Sequence, residues 1–132
     1  MGFDQYHEPP GELPESTRTF ARLIASLTEE ADAIGWYEQR LAVEPDAAAR
    51  AIMRNAEGEE FKHFSMDLEF LLRRTPVWRE IARGILFTEG DIVAQGEESE
   101  EEATGESEGG TSAAGASLPS GSLAIGSLRE LA

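Results

Sequence analysis

Phe20, Leu23, Ile24, Leu27, Ala31 and Ile34 recur at three- and four-residue spacing, the period of one face of an α-helix. The pattern predicts a helix from Pro14, whose fixed φ suits a first turn, to about Ala42. Glu15 sets a negative charge at the positive end of that helix. Gly35 is a weak point inside it, costing about 1 kcal/mol relative to Ala. The pattern breaks over Val43 to Asp46, and Pro45 is expected to open a second helix. Ile52, Met53, Ala56, Phe64, Leu68, Leu71 and Leu72 mark the buried side of this second helix, which should stop before Thr75-Pro76. Thr75 is read as an N-cap and Pro76 as the first residue of a short third helix. Trp78, Ile81, Ala82, Ile85 and Leu86 form its stripe.

Few residues join the two long helices, so they should lie antiparallel. The expected fold is all-α: a two-helix hairpin plus a short third helix. One hairpin has a single contact seam, too little to cover a broad apolar stripe. Self-association is therefore expected, two hairpins giving a four-helix bundle.

The flanks read differently. Residues 1–13, with Pro9, Pro10 and Gly11, should form an irregular arm, and Glu89-Gly90-Asp91 should close the folded part, so that the helical domain spans 14–92. From Gly96 onward the chain is mostly Gly, Ser, Ala and Glu without an aromatic residue. Such a stretch buries too little apolar surface to offset its ordering entropy. Residues 93–117 are accordingly read as a flexible acidic linker, and 118–132 as a terminal peptide.

Charge narrows the partners. Twenty-six acidic residues against 11 basic ones give a formal net charge of −15. Nucleic acid and anionic membrane both call for a basic face, so neither is expected. Cysteine is absent, which excludes disulfides, zinc–thiolate sites and iron–sulfur clusters. No signal pattern and no apolar run near 20 residues is present, and the simplest address is the cytoplasm.

Acidity also draws attention to acids in the wrong place. Glu30 lies three residues after Leu27 and seven after Leu23, on the apolar stripe rather than opposite it. Glu60 and His63 repeat the anomaly in the second helix, where Ala49, Met53, Ala56, Glu60, His63 and Asp67 follow one line. Buried carboxylates call for a partner. Such a set either hydrogen-bonds within a helical interface or grips a metal ion. A di-iron helical bundle takes a lone Glu from each of two helices and a Glu-x-x-His from each of two others. This hairpin supplies one of each, and a two-fold dimer would supply the rest. Carboxylate and imidazole without sulfur suit iron or manganese. Iron adds a reason for pairing two ions, the oxidation of Fe(II) by dioxygen or peroxide. Glu29 and Asp32, three apart on a more exposed face, are either collectors of incoming cations or simply a solvated face. Tyr37, seven residues after Glu30, is either a hydrogen-bond donor beside the metal or core. Trp36 is read as packing or interface.

Taken together, Glu29-Glu30-Ala31-Asp32, Trp36-Tyr37-Glu38-Gln39-Arg40, Glu59-Glu60-Phe61-Lys62-His63, Leu71-Leu72-Arg73-Arg74 and Leu86-Phe87-Thr88-Glu89-Gly90 resemble the encapsulated ferritin family. The resemblance covers nearly all of residues 7 to 92. It implies a ferroxidase whose di-iron site forms only at a dimer interface, in a ring-shaped decamer without a storage cavity of its own. By position it implies Glu30, Glu60 and His63 as iron ligands, Glu29 and Asp32 as acids at the mouth of the site, and Tyr37 as the tyrosine near the metal. Asp32 stands where the family usually has Glu. Ser122 to Arg129, carrying Leu123, Ile125, Gly126, Ser127 and Leu128, resembles the peptides that dock cargo inside encapsulin shells. That implies an encapsulin nanocompartment as location and partner. Two other readings stand beside this one, a different di-metal helical oxidase or peroxidase and a non-catalytic helical scaffold.

Overall fold

A three-residue turn, Glu44-Pro45-Asp46, sets the architecture. The computed structural model describes residues 5–105. Helix α1 (Glu15–Val43) enters the turn and helix α2 (Ala47–Arg74) leaves it. Asp46 caps α2, its carboxylate accepting from the Ala49 amide at 2.8 Å. Pro45, expected to open α2, instead stays outside it. The short Asp46 side chain is the better N-terminus, because it satisfies an amide the helix itself leaves unpaired. Arg50 braces the turn from α2, donating to the carbonyl oxygens of Leu41 and Glu44.

Pairings along the hairpin run in opposite order on the two helices. Arg50 reaches Leu41 near the turn, His63 faces Glu30 at mid-length, and Phe70 and Arg74 line one cavity with Phe20 at the far end. The helices are therefore antiparallel, as their short connection requires. At about 1.5 Å per residue, the 29 residues of α1 span about 43 Å.

The apolar interior is thin. Among the described residues, Leu41, Leu71 and Leu72 are the buried hydrophobic ones, and Leu71 alone is fully enclosed. Ile52, assigned to the buried side of α2 by its spacing, is 71% exposed, and Trp36 is 55% exposed. A helix with one neighbour can cover only the side that faces it, so apolar positions off that side face outward.

Helix α3 (Pro76–Ile85) follows with Pro76 in its first turn. Thr75 occupies the N-cap position but its side chain caps nothing. The folded part does not close at Glu89-Gly90-Asp91. Residues Ile92–Thr104, expected to begin a flexible linker, form helix α4, and this corrects the boundary drawn from composition. Asp91 caps α4 through the Ala94 amide at 2.9 Å, and Gly105 ends it in the left-handed conformation with φ 74°.

What anchors α4 is Ser99, which is buried and donates to the carbonyl oxygens of Ile81 at 2.9 Å and Glu80 at 3.2 Å on α3. Gly84 makes room for it. A Cβ there would stand 2.2 Å from Ser99 Oγ. The connecting loop holds Phe87 at φ 62°, with its ring in solvent.

Candidate metal centre

Glu30 on α1 and Glu60 and His63 on α2 come together at mid-hairpin. His63 Nδ1 lies 3.6 Å from Glu60 Oε2 and 3.9 Å from Glu30 Oε2. One ligand atom from each of the three falls within 4.8 Å of the others. Glu60 and His63 meet because residues three apart on a helix share a face. Glu30 joins them through the register that the Glu44–Asp46 turn imposes. These separations are long for hydrogen bonds. They are close to what one cation gathers, since bonds of about 2.1 Å place its donors up to about 4.2 Å apart.

The electrostatics describe the same cluster. A proton shared with the Glu60 carboxyl, followed by partial burial and the Glu60 charge, raises Glu30 above the ordinary carboxylate range. His63 opposes the rise, and Asp67 adds to it. Two carboxylates held this close repel once ionised, and a cation between them removes the repulsion. The donor set, two carboxylates and an imidazole without sulfur, fits iron or manganese. The side chains of Glu30, Glu60 and His63 are 23%, 22% and 42% exposed, so the cluster opens outward from a single chain.

The remaining sequence-derived positions lie around this group. Glu29 and Asp32 are exposed on α1 and lie outside the three-residue cluster. Tyr37 is half-buried, with the Arg40 guanidinium 5.3 Å from its ring centre. Trp36 beside it is exposed. Leu123, Ile125, Gly126, Ser127 and Leu128 lie outside the described residues.

Two acids were not assigned a role from sequence. Asp67, one turn beyond His63 on the same line, has its Oδ2 shielded and without a hydrogen-bond partner. Glu57 is 7% exposed, with Oε1 likewise unpartnered. The signal was there for both. Glu57 falls four residues after Met53 and three before Glu60, on the polar interruption of an apolar line.

An all-helical hairpin with carboxylate and imidazole donors facing each other across its seam defines the ferritin-like class of metal proteins. Comparison with known proteins narrows that class. The EncFtn-like family matches residues 5–89. A ferritin-like protein of Thermotoga maritima is 44% identical over 105 residues, which is 80% of this chain and 89% of that protein. An encapsulated ferritin-like protein of Rhodospirillum rubrum is 42% identical over 88 residues, 67% of this chain and 63% of that protein. A crystal structure of a Nitrosomonas europaea protein superposes with a TM-score of 0.65 at 37% identity, covering 67% of this chain and 98% of that one. The chain belongs to the EncFtn-like family, the encapsulated ferritins, and is an iron-handling, ferritin-like protein. No helix among the described residues is long and apolar enough to cross a membrane.

Proposed function

We propose that this protein is a ferroxidase that oxidises Fe(II) to Fe(III) at a di-iron site built by two copies of the chain. The product feeds mineral storage inside an encapsulin shell. One observation carries the reading: Glu30, Glu60 and His63 converge as one lone Glu and one Glu-x-x-His, half the ligand set of a di-iron bundle. A two-fold axis beside the hairpin doubles each ligand. The result is four carboxylates and two imidazoles for two ions.

Iron enters as substrate. Its binding displaces the proton held between Glu30 and Glu60, because the cation takes over the work of keeping the two carboxylates together. Each Fe(II) then gives one electron to dissolved oxygen or peroxide. Carboxylates favour the harder, more highly charged Fe(III), so Glu30 and Glu60 draw the reaction forward. His63 fixes the orientation of the donor set. Glu29 and Asp32 gather cations at the mouth of the site, with Asp32 reaching less far than a Glu would. Tyr37 stands next along α1, and Trp36 lies in the surface between copies.

The wider arrangement follows the family. The chain assembles as a ring-shaped decamer, five such dimers, and residues 118–132 dock on the inner wall of the encapsulin through Leu123, Ile125 and Leu128, around Gly126 and Ser127. Such a tether raises the local concentration of sites within the shell.

Stopped-flow oxidation of Fe(II) by the purified full-length chain tests the central step. Glu60→Ala and His63→Ala are each expected to abolish rapid oxidation. Glu29→Ala is expected to slow it without abolishing it. Undiminished rates in the first two variants would end the assignment.

A further inference from the structure

Helices α3 and α4 make a second, shorter hairpin. Ser99 meets Ile81, and a Cβ on Gly96 would stand 3.7 Å from Ile85 Cδ1, so the two run antiparallel with residues 86–91 as their tip. Leu86, Phe87, Ile92 and Val93 flank that tip, all exposed and Phe87 completely so. The tip is braced. The Thr88 hydroxyl donates to the Ile85 carbonyl, the Gln95 side chain donates to the Glu89 carbonyl at 3.3 Å, and Asp91 caps α4. Within it Phe87 keeps a φ of 62°, a left-handed backbone that bulky residues seldom adopt. Strain of this kind clusters at binding clamps. Beside the ring lies a cavity of about 220 Å³ lined by Leu72, Ala82, Leu86 and Phe87 together with Arg79 and Arg83.

Contiguous exposed apolar groups mark an interaction site, and the chain carries an occupant of its own. Beyond Gly105, Leu123, Ile125 and Leu128 gather in one short stretch, followed by Arg129 and Glu130. The way back to the tip runs along α4, whose Glu97, Glu98, Glu100, Glu101 and Glu102 form no ion pair within 4 Å among the described residues. Residues 109–121 carry no charge for those acids to repel, and Arg129 is the one base beyond Gly105. Reach is ample. The 13 residues of α4 cover about 20 Å, whereas the stretch from Gly105 to Leu123 spans about 60 Å when drawn out. A tethered segment also meets its site at an effective concentration in the millimolar range, which a second copy in dilute solution does not. We propose that residues 122–130 fold back onto the α3–α4 tip of their own chain. Leu123, Ile125 and Leu128 cover the patch and its cavity, Arg129 faces the glutamates of α4, and Glu130 faces Arg79 and Arg83. The contact hides apolar groups on both sides and competes with docking on a shell wall. That competition rests on the shell-docking reading, and the contact itself does not.

Hydroxyl-radical footprinting of the full-length chain, with no shell protein present, tests the contact through the labelling rate of the Phe87 ring. The wild type should label severalfold more slowly than the double variant Leu123→Ser/Ile125→Ser. The difference should hold at every dilution, because protection within one chain does not depend on concentration. Both substitutions lie outside helices α1 to α4, and matching circular dichroism of the two proteins checks that those helices are intact. Equal labelling of Phe87 in the two proteins overturns the proposal. So does protection that both share and both lose on dilution, which would assign the tip to a second copy. With the shell left out, a failure of shell docking leaves this result unaffected.

Discussion

A carboxylate in a seam between helices needs a base, a proton or a cation, and three glutamates within four residues of α2 differ in which they have. Glu59 on the outer face pairs with Lys62, whose hydrogen bond and charge lower its pKa. Glu60 faces Glu30 and His63. Glu57 faces Glu38, whose carboxyl, with burial, raises it. The consequence for stability has a definite sign. The folded chain keeps the Glu57 proton to higher pH than the unfolded chain does. The stabilising contribution is therefore full below the ordinary glutamate range near about 4.3, and is lost as pH rises through the folded value. In chelator, the urea midpoint of the wild type should fall over this window, and Glu57→Gln should flatten the slope. An equal slope in both would show that the pair is not the cause. The position of Glu30, Glu60 and His63 on apolar lines was legible in the sequence, because helical spacing fixes which residues share a face. The distance between Glu30 and His63 was not, since it depends on register. Glu57 carries a spacing signal, four residues after Met53 and three before Glu60, but beside Gly58 in a charged stretch it reads equally as solvated surface.

Among the elements, α1, α2 and α3 announce themselves by apolar period and by Pro76. Helix α4 does not. Its composition is that of a linker, and its order comes from features that periodicity does not register: an Asp91 cap, glutamates and alanines of good helix propensity, a left-handed Gly105, and Ser99 seated on Gly84. That last contact has no slack, because a Cβ at residue 84 would also lie 2.6 Å from Ser99 Cβ. Gly84→Ala should cost about 1–3 kcal/mol, the usual penalty for overpacking, and the loss should be local. Hydrogen exchange is expected to quicken in Ile92–Thr104 while the amides of α1 and α2 keep their protection. Unchanged exchange in α4 would mean that the helix holds itself.

The whole chain exposes what a stable fold hides. Trp36, Ile52, Phe61 and Met66 are each about half exposed or more, whereas the enclosed apolar residues of the described region are three leucines. Burial of apolar surface is the main stabilising term in folding and association alike, so a second copy would supply what one hairpin lacks. The need for a companion was legible in the narrow seam, but the number of copies was not. Oxidation rate per chain is expected to fall steeply when dilution separates the copies, in step with the loss of dimer in sedimentation. A rate that stays constant through dissociation would refute a shared site. Beyond the hairpin, α4 bears on how far the chain can reach. Its 13 residues span about 20 Å as a helix but about 44 Å when drawn out. Were α4 to unwind on release of Ser99, the same residues would therefore reach more than twice as far.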